Sequence, residues 1–417
     1  MVEIKEFTAI RYNVDRIKKL KIPFELLVCP PYDVISEEMY RKLSRQKYNF
    51  INFELPKGVK KLGSLDYSEV KKKFLLWEKN KIFVKDDFPA FYVYEHIFSC
   101  PYSLGSKGET KQRKDEVKKF IRRGFFGLVK VDPEYRTILP HEQTKPKPIE
   151  DRLTLLSSLQ VQTSPVFCLV EDDKKVLNKI LEKICKNTTP AISFKEDNGD
   201  EHRVFMVVAT DLVSQIKKFF SSKKLFIADG HHRYKTACAY LQKLQLVSDK
   251  IKNTQLLSNA EYFMSYICPL SDDGLLILPT HRAVAGEYIG KKVREYFDMI
   301  VWDGKTKIKL VVYHKGNFYT LKEKKKVKGE FLEIPSVVLN ETVLKDIPKE
   351  QIFYHQQMEE VVKWADKYNG YAFLLEPLSK EKFKEVVNNK FLLPPKSTYF
   401  YPKVISGLVE YDLCGEQ

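Results

Sequence analysis

The sequence lacks the features that would assign it to several broad classes. Its seven cysteines are odd in number, and no two of them form a Cys-x-x-Cys pair. This pattern disfavours a disulfide framework and a zinc ribbon, and it is typical of a reducing compartment. No apolar run is long enough to span a bilayer, and the first residues lack the basic-then-apolar order of a signal peptide. We therefore expect a cytoplasmic protein without a membrane partner.

Two common nucleotide-binding signatures are also missing. The chain contains no Gly-x-x-x-x-Gly-Lys-Ser/Thr loop and no set of protein-kinase motifs. Their absence excludes two familiar nucleotide sites but leaves open the folds that bind nucleotides in other ways.

The composition is that of a folded, basic protein. Of the 417 residues, 43% are hydrophobic and 13% aromatic, which permits a large core and argues against disorder. Lys and Arg number 71 against 55 Asp and Glu, giving a formal charge of +16. We interpret this charge mainly as a lysine-rich solvated surface, although such a surface also attracts phosphorylated small molecules or nucleic acid. We expect no nucleic-acid partner, because no helix-turn-helix element is recognisable.

Strands and helices mix without a regular βαβ rhythm, which predicts an α+β fold. Alternating or continuous apolar runs predict strands at 91–94, 125–131, 204–208, 225–228, 275–278 and 308–313. Helical spacing predicts helices at 68–80, at 235–246 and around 361–365. The chain is expected to be one unit, monomeric or homodimeric, with possible lobes at 1–120, 121–300 and 301–417. Polar stretches at 103–118 and 186–199 are candidate linkers or surface loops.

The strongest candidate site is the Asp-Gly-His-His-Arg segment from Asp229 to Arg233, between the predicted strand and helix. A strand–turn–helix joint directs the free N–H groups of the helix N-terminus toward a bound anion. Arg233 can form a bidentate fork with phosphate oxygens. Asp229 is a candidate magnesium ligand or partner of a histidine, and the alternative is that it simply caps the helix.

Three weaker clusters carry similar chemistry. Pro140-His141-Glu142 suggests a loop with a base, Pro279-Thr280-His281-Arg282 suits an anion at a strand end, and the segment 394–403 contains Lys396-Ser397-Thr398 between prolines. Taken singly, each could be a polar loop, a surface turn or a C-terminal strap over the core.

Together these motifs resemble the pyrophosphate-dependent free-serine kinases and, more distantly, the ADP-dependent free-serine kinases. Both groups are similar to the ParB/sulfiredoxin-like superfamily, so the resemblance implies a core of that type with additional mixed α/β lobes. It rests on Pro30-Pro31-Tyr32-Asp33-Val34, on the four motifs above, and on the continuation Tyr399-Phe400-Tyr401-Pro402-Lys403. The motifs extend over nearly the whole chain.

The resemblance implies a reaction in which pyrophosphate phosphorylates free L-serine with Mg²⁺. Catalytic roles fall on Glu142 as general base, Asp229 and His232, with Asp229 also the metal ligand. The implied phosphate-binding residues are His231, His232, Arg233, Lys396, Ser397 and Thr398. The implied substrate-binding residues are His141, His281, Arg282 and Asp33.

Other functions remain open from the sequence. ADP or ATP could replace pyrophosphate as the donor. A non-enzymatic ParB-like module that binds a nucleotide or nucleic acid is compatible with the basic charge but leaves Glu142 without a role. A sulfiredoxin-like reductase would need a cysteine in the turn that here holds two histidines, and a metal-dependent phosphatase would consume phosphoserine rather than make it.

Overall fold

The computed structural model describes residues 1–58, 67–100, 118–143, 146–247, 254–324 and 329–415. Helices and several mixed or antiparallel sheets combine within these ranges, which confirms the predicted α+β class. Among the described residues, no helix has the length and apolar character needed to cross a membrane.

The strands are β1 (Ile4–Lys5), β2 (Ile10–Tyr12), β3 (Phe83–Lys85), β4 (Phe91–Ser99), β5 (Lys119–Lys130), β6 (Ile138–Leu139), β7 (Val161–Gln162), β8 (Val166–Val170), β9 (Ile192–Lys195), β10 (Glu201–Val207), β11 (Leu225–Asp229), β12 (Tyr262–Pro269), β13 (Leu276–Leu278), β14 (His281–Val284), β15 (Phe297–Val301), β16 (Leu310–His314), β17 (Asn317–Glu323), β18 (Phe353–His355), β19 (Tyr371–Leu375), β20 (Tyr399–Tyr401) and β21 (Tyr411–Asp412). Each predicted strand overlaps one of these, with bounds that differ by up to six residues.

The helices are α1 (Val14–Lys19), α2 (Glu37–Ser44), α3 (Ile51–Glu54), α4 (Ser68–Lys79), α5 (Pro146–Leu159), α6 (Val176–Asn187), α7 (Thr210–Phe220), α8 (His231–Leu246), α9 (Thr254–Ala260), α10 (Glu287–Tyr296), α11 (Pro335–Glu341), α12 (Met358–Lys367) and α13 (Lys380–Asn388). The three predicted helices correspond to α4, α8 and α12.

The main sheet has nine strands in the order β6-β11-β8-β12-β5-β4-β10-β9, with β1 paired to β5. Both of its faces are buried. Along β4, Tyr92 and Tyr94 belong to one hydrophobic cluster, while Phe91 and Val93 belong to another. This alternation follows from the two-residue period of a strand. The second cluster is completed by α6 and α7, and the first by parts of α8 and α13.

A second sheet of six strands has the order β15-β17-β16-β19-β14-β18. It begins at β14 and ends at β19, after which α13 and β20 return the chain to the main sheet, where Phe383 and Phe400 join its core. The segment after α13 therefore packs against elements far earlier in the sequence.

Two predicted lobe boundaries fall inside strands. The boundary at residue 120 lies within β5, which pairs with β4 on one side and β12 on the other. The boundary at residue 300 lies within β15 of the second sheet. Each boundary therefore coincides with a hydrogen-bonded strand, and the division into three lobes stays a prediction.

The two predicted polar stretches differ in outcome. The stretch 103–118 lies outside the described residues except at its last position. The stretch 186–199 is not a linker, since it contains the end of α6, the strand β9 and the turn that leads into β10.

Candidate active site

A cavity of about 1440 Å³ opens between the main sheet, the N-terminal segment and the segment 394–403, which follows α13 and is called the strap. The predicted site residues that line it are Asp33, Glu142, Asp229, His231, His232, Arg233, Lys396 and Thr398. The acid of the Pro-His-Glu motif and the Asp-Gly-His-His-Arg segment therefore face the same space, as the sequence interpretation required. His141, Ser397, His281 and Arg282 do not line the cavity.

The joint between β11 and α8 forms one wall of the cavity. The strand ends at Asp229, Gly230 adopts a left-handed conformation with φ 86° and ψ 28°, and the helix begins at His231. This is four residues earlier than predicted, so both histidines and Arg233 belong to the first helical turn. No side chain caps this N-terminus. Its backbone N–H groups and the helix dipole therefore favour an anion in the cavity.

Asp229 does not cap the helix. Its Oδ1 lies 2.5 Å from Lys403 Nζ, and its Oδ2 lies 2.7 Å from a terminal nitrogen of Arg233. Burial opposes its ionisation, but Lys403 and Arg233 prevail and hold the pKa of Asp229 well below its usual range. The side chain is therefore an anion between two cations.

Arg233 is less available to phosphate than the motif suggests. One terminal nitrogen donates to Asp229 and the other to the backbone carbonyl of Pro165. Its Nε is buried and has no hydrogen-bond partner among the described residues. The guanidinium packs over Gly230, where an added Cβ would lie 2.9 Å from Nε. Arg233 thus ties the start of α8 to the segment before β8.

His141 connects three elements behind the cavity. Its Nδ1 lies 2.7 Å from the carbonyl oxygen of Ile227, and its Nε2 lies 2.8 Å from Thr398 Oγ1. Because a carbonyl only accepts, Nδ1 carries the proton of the neutral ring and Thr398 donates to Nε2. Burial lowers the pKa of His141 to about 4, which keeps the ring neutral. The ring of His231 packs edge-on against it, with centroids 4.7 Å apart.

The two hydroxyls of the Lys-Ser-Thr segment are therefore already engaged. Thr398 donates its hydrogen to His141, and Ser397 Oγ donates to the carbonyl of Pro394 over 2.6 Å. Neither hydroxyl can donate to a phosphate while these bonds persist. Of the three residues, Lys396 alone presents an exposed charged side chain at the cavity.

Glu142 is held beside the same segment. A parallel bridge joins it to Leu393, and the backbone N–H of Lys396 hydrogen-bonds to its carboxylate. Burial raises the pKa of Glu142 above its usual value, although Lys396 works in the opposite direction. A carboxylate with a raised pKa is a stronger base than an ordinary surface glutamate, which suits proton abstraction.

The two remaining histidines of the first turn are both disfavoured as cations. Burial, reinforced by His141, holds the pKa of His231 well below its usual value. Burial also lowers the pKa of His232, while the nearby Asp33 works to raise it. As neutral rings they can each donate one hydrogen bond and accept one.

Asp33 lies at the cavity rim on a short 3-10 helix from Tyr32 to Val34. This helix is fixed from beneath, because the Tyr32 N–H donates to the buried carboxylate of Glu54 over 2.8 Å. The guanidinium of Arg152 lies 4.5 Å from the centre of the Tyr32 ring. The Pro-Pro-Tyr-Asp motif thus sets an exposed acid opposite the first turn of α8.

His281 and Arg282 are buried in β14 rather than exposed in a turn. His281 Nδ1 accepts the N–H of Leu375, so this ring belongs to the second sheet. Arg282 donates to the carbonyl of Lys396 over 3.4 Å and stacks 5.6 Å from the Tyr354 ring centre. Arg282 therefore supports the strap, and neither residue lines the cavity, so their predicted contact with the substrate stays a prediction.

A known protein family includes most of this chain. A family model described as "Protein of unknown function (DUF1015)" matches residues 4–349, which is most of the chain. The chain belongs to the DUF1015 family. A comparison with curated proteins found no match.

The solved structures similar to this DUF1015 protein are distant from it. A free serine kinase in complex with AMP shares 17% identity over 68% of this chain and 92% of its own, with a TM-score of 0.36. A conserved hypothetical protein from Pyrococcus furiosus shares 16% over 69% and 95%, with a TM-score of 0.37. SbnI from Staphylococcus aureus, truncated at its C-terminus, shares 12% over 68% and 86%, with a TM-score of 0.39. Similarities of this size do not carry a function from one protein to another.

The residues around Asp229 do not fit the predicted magnesium site in this DUF1015 protein. Both carboxylate oxygens are already paired with cations, and the positive charges of Lys403 and Arg233 disfavour a third cation beside them. Over the described ranges, no group of three or more His, Cys, Asp or Glu side chains is arranged to hold a metal ion. Asp229 is therefore better interpreted as the partner of Lys403 and Arg233 than as a metal ligand.

Sequence reasoning assigned no role to two residues that shape the cavity. Lys403 ends the C-terminal motif and pairs with Asp229, while Arg122 is buried beneath the same segment in β5. The basic residue directly after Pro402 is a weak sequence signal for a role of Lys403 in the site. No local pattern distinguishes Arg122 from the basic residues beside it.

Proposed function

We propose that this protein transfers a phosphoryl group from inorganic pyrophosphate to the hydroxyl of free L-serine, giving O-phospho-L-serine and orthophosphate. The observation that carries this proposal is the single cavity that Glu142 shares with the uncapped start of α8, Lys396 and Lys403. A base and a set of anion-binding groups on one cavity suit phosphoryl transfer to an alcohol.

In this proposal Glu142 accepts the proton of the serine hydroxyl as its oxygen attacks the terminal phosphorus. The bond from that phosphorus to the bridging oxygen breaks, and orthophosphate leaves with the electron pair. Base assistance of this kind contributes about 10²–10⁴-fold to the rate. The raised pKa of Glu142 supports the assignment because it increases the affinity of the carboxylate for the proton.

Stabilisation of the phosphoryl charge falls to backbone and lysine donors rather than to Arg233. The N–H groups of the first turn of α8 bind phosphate oxygens, and Lys396 adds a mobile positive charge at the rim. Arg233 acts indirectly by holding Asp229 and the helix start. Mg²⁺ remains a proposed partner of the diphosphate itself, because Asp229 does not fit as its ligand.

ADP or ATP is the second candidate donor, favoured by the size of the cavity. Its volume of about 1440 Å³ exceeds the roughly 300–1,000 Å³ of typical small-molecule sites. Tyr354, Tyr399 and Tyr401 on its lining offer rings on which a base could stack. An inorganic diphosphate with a single amino acid would leave much of this space to water.

The test is to incubate the purified protein with L-serine and Mg²⁺ together with pyrophosphate, ADP or ATP in separate reactions, and to assay phosphoserine. We expect product with pyrophosphate. Replacement Glu142→Gln should lower kcat by about 10²–10⁴-fold while pyrophosphate binding persists. The matched control is Glu38→Gln, which removes a carboxylate from the same cavity at α2.

The outcomes separate the candidates. Phosphoserine formed with a nucleotide but not with pyrophosphate would move the assignment to the second donor. Equal rates for wild type and Glu142→Gln would remove the base from the mechanism. Because the reaction is reversible in principle, phosphoserine and phosphate should also be tested as substrates, and phosphoserine consumption without any synthesis would identify a phosphatase.

A further inference from the structure

Lys403 lines the cavity and pairs with Asp229. It follows β20 and Pro402, and its side chain is only 13% exposed. Its Nζ lies 2.5 Å from Asp229 Oδ1 and 4.9 Å from the centre of the Tyr399 ring. The ammonium group is therefore held close to the N-terminus of α8.

The segment that carries Lys403 is fixed by an unusual buried arginine. Arg122 is 0% exposed, and one of its terminal nitrogens donates to the carbonyl of Pro402, immediately before Lys403. Its guanidinium lies 5.2 Å from the ring centre of Phe167 and 5.4 Å from that of Tyr266. Among the described residues it forms no salt bridge, and its Nε and other terminal nitrogen have no hydrogen-bond partner.

A buried arginine is normally paired with an acid, because an uncompensated charge is costly in the interior. Among the described residues, the hydrogen bond of Arg122 goes to the Pro402 carbonyl. It therefore fixes the residue next to Lys403. This arrangement holds the strap against the main sheet at one point and directs the following lysine toward the cavity.

Both cations on Asp229 use part of their hydrogen-bond donors within the protein. Arg233 uses one terminal nitrogen on Asp229 and the other on Pro165. A lysine ammonium has three N–H donors, and Asp229 takes one of them. Two N–H groups of Lys403 therefore remain for a phosphate oxygen while its ion pair persists, and Lys403, unlike Arg233, is not also tied to the Pro165 carbonyl.

We propose that Lys403 directly contacts the diphosphate, with Asp229 and Arg122 as positioning residues that fix its ammonium group. This inference rests on the proposed function for the identity of the ligand. It explains why Asp229 is placed between two cations, since an ionised carboxylate orients Lys403 without removing its capacity to donate.

Direct binding of pyrophosphate, measured by calorimetry on the intact protein, tests the inference independently of turnover. Replacement Lys403→Met should weaken binding by about 10–100-fold, the range for losing a hydrogen bond to a charged group. Lys403→Arg keeps a cationic donor and should stay within a few-fold of wild type. The matched control Lys42→Met removes a lysine that lines the same cavity from α2 and should bind normally.

A folding defect in Lys403→Met must be distinguished from lost binding, because this variant leaves Asp229 paired only with Arg233. The variant Lys403→Gln keeps a neutral N–H donor for Asp229 and leaves the Asp229–Arg233 pair intact, so it should show the same weakened binding with a thermal midpoint nearer to wild type. Unchanged binding in Lys403→Met, or no pyrophosphate binding by the wild type, would overturn the inference. If pyrophosphate binding depends on Lys403 as expected but no phosphoserine is formed, the proposed function is overturned and the contact between Lys403 and the diphosphate is retained.

Discussion

At the scale of single residues, the environment of Glu142 decides whether it can act as a base. The carboxylate receives one backbone N–H from Lys396, and Glu142 is partly buried at the wall of the cavity. Burial disfavours the charged form, so the group holds a proton more readily than a glutamate in water. The same residue in an open loop would be ionised at a lower pH and would be a weaker base.

This environment predicts the acid limb of the pH profile. Proton abstraction requires ionised Glu142, so kcat/KM should fall as pH decreases through its pKa. Because burial raises that pKa, the limb should lie above about 4.3, the ordinary value for glutamate. The measurement is the rate of phosphoserine formation across pH with saturating pyrophosphate. A limb at or below the ordinary value would show that another group controls the rate.

At the scale of secondary-structure elements, the turn between β11 and α8 depends on glycine. Gly230 has φ 86°, which strains other residues, and a Cβ there would lie 2.9 Å from Arg233 Nε. The matched position is Gly304, which has φ 75° and nothing within 4 Å of an added Cβ. The two glycines share a similar positive φ and differ in the neighbouring side chain.

Comparison of Gly230→Ala with Gly304→Ala therefore isolates the contact with Arg233. Each variant should lose about 1–2 kcal/mol from the left-handed backbone alone. We expect Gly230→Ala to lose more, and also to weaken pyrophosphate binding because Arg233 must shift. The checks are urea denaturation and calorimetry. Equal destabilisation with equal binding would show that the guanidinium moves aside freely.

The strap that contains β20 is joined to the Pro-His-Glu loop by the bond between Thr398 and His141. Replacement Thr398→Val keeps the shape but leaves the buried Nε2 of His141 without its donor. We expect a loss of about 1–3 kcal/mol in unfolding free energy. The control is Thr154→Val, whose hydroxyl donates to Glu150 on the exposed side of α5 and should change stability by less than about 0.5 kcal/mol. Similar losses of unfolding free energy in both variants would show that the buried hydrogen bond stabilises the fold no more than the exposed one.

At the scale of the whole molecule, the first and last parts of the described chain meet in the core. Ile10 and Glu410 exchange two backbone hydrogen bonds, of 3.0 Å and 2.9 Å. The Glu410 side chain is 0% exposed, and neither carboxylate oxygen has a hydrogen-bond partner among the described residues. Burial, with a further contribution from Glu54, raises the pKa of Glu410 well above its usual value.

Glu410 should make the whole fold less stable as pH rises. The folded state holds this proton at pH values where the unfolded chain has released it, so stability is full below the ordinary glutamate pKa and declines above it. Replacement Glu410→Gln removes the titration, and its stability relative to wild type should increase with pH, by about 1–3 kcal/mol at pH 8. Urea denaturation at pH 5 and pH 8 measures this difference.

The exposed Glu350 provides the comparison for that experiment. Glu350→Gln should change stability little at either pH, because its carboxylate already lies in water. A pH-independent effect of Glu410→Gln would mean that the buried carboxyl is solvated or paired in solution.

Much of the local structure could be predicted from the sequence. The apolar runs located strands such as β4 and β11, and helical spacing located α4 almost to its last residue. The start of α8 was missed because His231 to Arg233 carry no apolar periodicity, while Gly230 supplies a sharp turn that local patterns interpret as a loop. The lobe boundaries stay a prediction, because hydrogen bonds between distant strands, such as those of β5, leave little trace in local composition.

The amino-acid sequence by itself determined which residue types are concentrated in the motifs and where most elements begin and end, since both depend on neighbours along the chain. The tertiary structure alone decided which of those residues share a cavity. It turned the Thr398 hydroxyl toward His141, buried Arg282 beneath the strap and paired Asp229 with Lys403. These outcomes depend on contacts between segments more than a hundred residues apart, and the geometry of such contacts is fixed only when the sheets and the returning strap pack together.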